Sequence, residues 1–409
     1  MAPADAQPWH PNVRSVWSII ILAIAILSGL YFNDQIPLIH GFGRSYQAKK
    51  HPLRWRCSQI THPFMEGCEH IWLDHAGRNL YGACTNASSS EDWNPSGRPD
   101  GAWAKSRRDH LAVLAIDPSG QANEYQVQKL EIRDKSHKDI NLHGFDARYV
   151  NGRLRFWVAN HLPAMDTATG KVLDVQTHSS IEIFDLDPTS NELMHVKSIA
   201  SNALDSPNSV AVDLTGEEFL VINGCRTKLG PFRGGPFQFG SESIAYCRTD
   251  IGSCETIALE GVERANSVVT GRDGLFYVSM SSMGTLAVYE ISNGKPNRAD
   301  ILSLDHALDH LSVDARGNII VTAFSDVIEL QKASMNPQAS VAAGTVLMLQ
   351  KKGGRSGSFQ GQEYLLHTVL EDRAGKLIST TQTAVHDAQS DRLFLAGVFS
   401  PGVSICEKR

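Results

Sequence analysis

A polar residue repeatedly opens a run of alternating apolar positions along this chain. A short Asp/Gly turn follows, and a second apolar run returns. The clearest copy is Asn208-Ser-Val-Ala-Val-Asp213, then Gly216, then Phe219-Leu-Val-Ile-Asn223. A period of two on both sides of a tight turn predicts two antiparallel strands. Similar units begin at Glu69 (Glu-His-Ile-Trp-Leu-Asp74, Gly77, Leu80-Tyr-Gly-Ala-Cys84), at Asn266 (Gly274, Leu275-Phe-Tyr-Val) and at Asp309 (His-Leu-Ser-Val-Asp314, Gly317, Ile319-Ile-Val-Thr). Looser copies begin at His143 and near Gln382. Six strand-built copies, roughly 43 to 74 residues apart, predict an all-β, six-bladed β-propeller with one copy per blade.

In a propeller the equivalent residues of each blade sit at equal heights around a central channel. The lead residues Glu69, His143, Asn208, Asn266 and Asp309 are therefore expected at one mouth. Two carboxylates and two amide oxygens meeting there suit a hard cation such as calcium, with a histidine beside it as base. The acids Asp74, Asp213 and Asp314 recur inside the units and read as turn residues.

The N-terminus breaks the pattern. Residues 1–14 form a polar tail with Pro3, Pro8 and Pro11, and Val16 to Phe32 is an uncharged apolar stretch. Residues 15–33 are predicted as one hydrophobic helix, an uncleaved transmembrane signal anchor, with a cleaved signal as the alternative. Residues 34–56 are a linker and 57–409 the propeller, single-pass and facing the secretory lumen or the exterior. Arg14 before the segment and Arg44, Lys49 and Lys50 after it leave its orientation open.

Of seven cysteines, Cys57 precedes the first unit and Cys406 lies near the end. A propeller brings its ends together, so a Cys57–Cys406 bond would clasp the ring and imply an oxidising compartment. The alternative is seven reduced, buried thiols. Any pairing among Cys68, Cys84, Cys225, Cys247 and Cys254 is open, and the odd count leaves one unpaired. Asn86-Ala-Ser88 is a glycosylation sequon if its loop is lumenal. A net charge of -6 without a basic block argues against a nucleic-acid partner. Residues 85–108 and 351–362 read as surface loops, and the Gly/Pro-rich stretch 225–243, with its aromatic and basic residues, reads as a lid over the channel. Walker, Gly-x-Ser-x-Gly, His-Glu-x-x-His and paired Cys-x-x-Cys motifs are absent.

From about Cys57 to Cys406 the order of motifs resembles the serum paraoxonase/arylesterase family. The resemblance rests on His143-Gly-Phe, Val158-Ala-Asn-His161, Ser180-Ile-Glu-Ile-Phe, Pro207-Asn-Ser-Val-Ala-Val, Ala265-Asn-Ser and Asp309-His-Leu-Ser-Val-Asp. It implies a six-bladed propeller with two channel calcium ions that hydrolyses lactones, aryl esters and, in some members, phosphotriesters. By that resemblance Glu69, Asn208, Asn266 and Asp309 match ligands of the catalytic calcium, His143 and His161 the catalytic histidine pair, and Cys57 and Cys406 the terminal disulfide. The chain departs from the family at the second, structural calcium, where His70, Ser209 and His310 replace two acidic residues and an asparagine. With two carboxylates lost, one calcium is expected and the deeper site is expected to be gone. A softer metal, zinc or iron, held by His70 and His310 is the alternative there.

Each residue also has a plainer reading: Asn266 as a turn cap, His143 and His161 as satisfied core histidines. Taken together, they favour a calcium-dependent hydrolase of a small hydrophobic lactone or aryl ester. The alternatives are a propeller of this kind recruited to an isomerase or cyclase step, and a non-catalytic binding propeller.

Overall fold

The structure is a computed structural model that describes residues 55–85, 109–117, 124–134, 140–165, 172–224, 243–258, 265–281, 284–292, 294–304, 306–324, 342–351, 364–372, 375, 381–398 and 400–408. Side chains are described over these ranges except at 162–178. The expected anchor, its tail and most of the linker lie outside the described residues, as do Asn86, Cys225 and nearly all of the stretch expected as a lid. Among the described residues no helix is long and apolar enough to cross a membrane.

Strands form six sheets, the six blades the sequence pattern predicts. Blade 1 runs from its inner strand Cys68–Asp74 through Asn79–Cys84 and His110–Ala115 to Val127–Lys129. Blade 2 has Leu142–Val150, Arg153–Met165, Val172–Asp187 and Glu192–Ile199, with the short strand Glu131–Ile132 added at its outer edge in parallel. Blade 3 has Pro207–Val212, Glu218–Asn223, Ile244–Arg248 and Ser253–Ile257. Blade 4 has Ala265–Thr270, Phe276–Met280, Thr285–Ser292 and Lys295–Ser303, and blade 5 has Ala307–Val313, Ile319–Phe324, Gly344–Lys351 and Tyr364–Asp372. The inner strands contact one another in cyclic order, so the ring is closed.

The ring closes in blade 6. Its strands Thr383–Asp387, Arg392–Ala396 and Gly402–Lys408 come from the C-terminus, and its outer strand, Trp55–Thr61, from the N-terminal side. Trp55 pairs with Lys408 and Thr61 with Gly402, and Cys57 and Cys406 face each other and are bonded. Two further disulfides, Cys68–Cys84 and Cys247–Cys254, also join residues directly opposite on neighbouring antiparallel strands.

Turn chemistry recurs between first and second strands. Asp213 accepts the amide hydrogens of Thr215, Glu217 and Glu218, and Asp314 those of Arg316 and Asn318. Gly216 and Gly317 take the positive φ that ends these turns. The recurrent acids are thus turn residues, as expected. The core lies between the blades. Phe145 and Phe156 of blade 2 pack with Tyr81 of blade 1, and Trp157 packs with Phe219 and Val221 of blade 3. Burying such rings contributes about 1.5–3 kcal/mol each.

A polar cluster at one mouth of the channel

An innermost blade strand is an edge, so alternate amides face the channel without a ladder partner. In five of the six blades its strand register also shifts, and each shift falls on the predicted lead residue. The breaks lie between Cys68 and His70, Leu142 and Phe145, Pro207 and Ser209, Ala265 and Ser267, and Leu308 and Leu311. A bulge adds one residue and re-aims its side chain. Glu69, Asn208 and Asn266 are those residues, and His143 and Asp309 open the two-residue breaks of blades 2 and 5. Blade 6 pairs from Thr383 to Asp387 without a break, and it contributes none of the five lead residues.

The bulged residues form two linked groups. His143 Nε2 lies 3.3 Å from Glu69 Oε1, joining blades 2 and 1. Asn208 Nδ2 donates to the Asn266 carbonyl at 2.8 Å, and Asn266 Nδ2 donates to Asp309 Oδ1 at 2.5 Å, joining blades 3, 4 and 5. Glu69 and Asp309 feel one another. Burial, opposed by the Asn266 bond and reinforced by the Glu69 charge, pushes the Asp309 carboxyl up to about 7. A bulged blade needs its neighbour to come close. At Gly144 a Cβ would lie 2.3 Å from the Asn208 carbonyl oxygen, so only glycine fits beside His143.

His161 is fully buried on the second strand of blade 2. A carbonyl only accepts, so its Nε2–H donates to Pro207 O at 2.6 Å and its Nδ1 accepts from the Ser179 hydroxyl at 3.1 Å. Its ring stands at 79° to that of His143, with centroids 5.6 Å apart. His161 therefore braces the backbone just before Asn208 and stands against the His143 ring.

His70, Ser209 and His310, the altered positions, form a second layer next to the lead residues. Phe145 N–H donates to His70 Nδ1 at 3.1 Å, and the His70 and His310 ring centroids are 5.0 Å apart. Burial first, then its neighbours His310 and His143, hold His70 well below the ordinary imidazole range, and burial with His143 takes His310 down to about 3. Both rings are thus neutral. Since His70 Nδ1 accepts a hydrogen bond, its proton is on Nε2, which makes that nitrogen a donor and not a metal ligand. Among the described residues, His310 Nδ1 is buried without a hydrogen-bond partner.

Opposite this cluster, side chains bridge the other mouth. Arg148 of blade 2 donates to Val212 O of blade 3 and Thr270 O of blade 4, and His75 of blade 1 lies 3.3 Å from Val313 O of blade 5. The sequence offered little sign of this bridging: His75 opens a turn and Arg148 lies near the end of an inner strand, and neither position marks a partner across the channel.

Among the described residues no group of three or more His, Cys, Asp and Glu is arranged to hold a metal. The mixed set of two carboxylates and two carboxamides is the remaining cation candidate, and its chemistry fits a hard ion. Two crowded acids, one of them with a raised proton affinity, need a positive charge, and a carboxamide turned by 180° offers oxygen where it now offers nitrogen.

No protein-family model matches the chain, and no curated protein matches it. Solved structures with a similar chain path include the PQQ domain of a pyranose dehydrogenase from Coprinopsis cinerea, at 12% identity, TM-score 0.48, covering 87% of this chain and 95% of that one. A luciferin-regenerating enzyme has 12% identity, TM-score 0.46 and coverage of 86% and 95%. A gluconolactonase from Xanthomonas campestris has 15% identity, TM-score 0.45 and coverage of 87% and 90%.

Proposed function

We propose that this propeller is a calcium-dependent hydrolase of small hydrophobic lactones or aryl esters, as its resemblance to the paraoxonase/arylesterase family implies. The reading is carried by one observation: the five bulged residues bring two carboxylates, two carboxamides and a histidine paired with a carboxylate to one mouth of the channel. Glu69, Asn208, Asn266 and Asp309 would hold one calcium ion.

When bound, that ion supplies Lewis-acid polarisation of the carbonyl and countercharge for the oxyanion. Glu69 orients His143 through Nε2. His143, paired with this carboxylate, would take the proton of the attacking water. Glu69 then stabilises the imidazolium. His161 holds the His143 ring in place from its perpendicular position. The His70 proton on Nε2 supports the loss of a second ion: this layer offers neutral donors and acceptors where a cation needs carboxylates. The N-terminal segment would anchor the propeller in a membrane, within an oxidising compartment suited to three disulfides.

The test is metal content and hydrolysis on one preparation, with phenyl acetate and a γ-lactone as substrates, before and after chelation. One calcium per chain, activity lost on chelation and restored by calcium, and a His143→Gln variant that keeps its calcium but loses about 10²-fold or more in kcat are expected. Calcium binding without hydrolysis would instead favour an isomerase or cyclase built on the same cluster.

A further inference from the structure

The second layer of the channel follows a rule. His70 Nδ1 accepts from Phe145 N, Ser209 Oγ from Val268 N at 3.0 Å, and Ser267 Oγ from Leu311 N at 3.2 Å. In each case the acceptor is the residue after a lead residue, on blades 1, 3 and 4. In each case the donor is the amide two residues after the lead residue of the next blade, namely after His143, Asn266 and Asp309. All three acceptors are buried, with Ser209 fully so. These amides belong to edge strands next to a bulge, where no ladder partner is available, and a buried N–H without a partner is costly.

From this we infer that His70, Ser209 and Ser267 are positioning residues that act one blade ahead. His70 sets the bulge carrying His143, Ser209 the bulge carrying Asn266, and Ser267 the bulge carrying Asp309. This buried layer braces the lead residues with neutral hydrogen bonds. Ser267 has a further tie: its neighbour across the ladder, Ser279, donates to Asp309 O at 2.8 Å. The inference on catalysis and calcium rests on the function proposed above, whereas the inference on backbone placement does not.

The consequence is an offset that a local packing role does not give. His70→Leu, adjacent to the ligand Glu69, should damage His143 on the next blade. In the full chain it should lower kcat roughly 10²-fold with KM and calcium affinity changed less than about threefold. His70→Asn places an amide oxygen near the Nδ1 position and should restore most of kcat. Ser267→Ala should do the reverse, weakening calcium through Asp309 by roughly tenfold in calorimetric titration.

Amide hydrogen exchange gives the activity-independent reading. His70→Leu should speed exchange in peptides covering 142–150, His70→Asn should not, and Ser267→Ala should speed it in peptides covering 307–313. If each variant loosens its own blade instead, or if Asn at position 70 does no better than Leu, the inference is overturned. If exchange follows the offset while the wild-type protein hydrolyses nothing, the positioning rule stands and the proposed function fails.

Discussion

Removing the Cys57–Cys406 disulfide should cost this protein more stability than removing either of the other two. Its partners are 349 residues apart, against 16 for Cys68–Cys84 and 7 for Cys247–Cys254. Treating each as a cross-link on the unfolded chain gives roughly 6, 3 and 2 kcal/mol respectively. All three join residues directly opposite on neighbouring strands, so their native surroundings are alike and loop length is the main difference. The long bond also holds the outer strand of blade 6, whose Trp55 indole donates to Val369 O of blade 5. Three paired Cys→Ala variants, unfolded in urea with the remaining disulfides intact, provide the comparison. The expected order of midpoints at similar m is wild type, then the blade 3 variant, the blade 1 variant, and last the ring-closing variant. Were the ring-closing variant no less stable than the blade 3 variant, closure would be due to strand pairing and packing alone, and the entropic argument would be refuted.

Two further predictions concern charge. Burial and Glu69 raise Asp309 to about 7, so without metal the folded state binds more protons than the unfolded state between about 4 and 7 and loses stability as pH rises through that window. Asp309→Asn should therefore raise the melting temperature of chelated protein at pH 8, have a smaller effect at pH 5, and lower it in saturating calcium, where the wild type gains binding free energy; a variant less stable than wild type in chelator at pH 8 would contradict this. His386 lies 2.9 Å from Asp314 and 3.1 Å from Asp391; burial opposes its charge, but these bonds outweigh burial and raise it above the ordinary 6.5. Its contribution is complete below 6.5 and is lost as pH rises through the higher folded value. The stability gap between wild type and His386→Gln, measured by urea unfolding, should accordingly narrow from pH 6 to pH 9, and a constant gap would show that His386 is neutral throughout.

What the sequence by itself determined was local and periodic. Alternation around Asp/Gly turns defined strand pairs, and six copies at that pitch can bury their faces only by closing into a ring. The lead residues and the recurrent turn acids were legible because their offsets repeat. Cys57 and Cys406 were legible because ring closure brings the ends together.

The bulges were decided by tertiary structure. A register shift depends on how two strands meet, and nothing in Asn208-Ser-Val-Ala marks Asn208 as the extra residue. Only neighbouring blades place Glu69 beside His143 and align Asn208, Asn266 and Asp309 through hydrogen bonds. The same holds for the amide that claims His70 Nδ1, for the backbone and hydroxyl partners of His161, and for the Cys68–Cys84 and Cys247–Cys254 pairings. These partners are distant in sequence or set by register, and a periodic pattern records which face a side chain takes, not what meets it across the next blade.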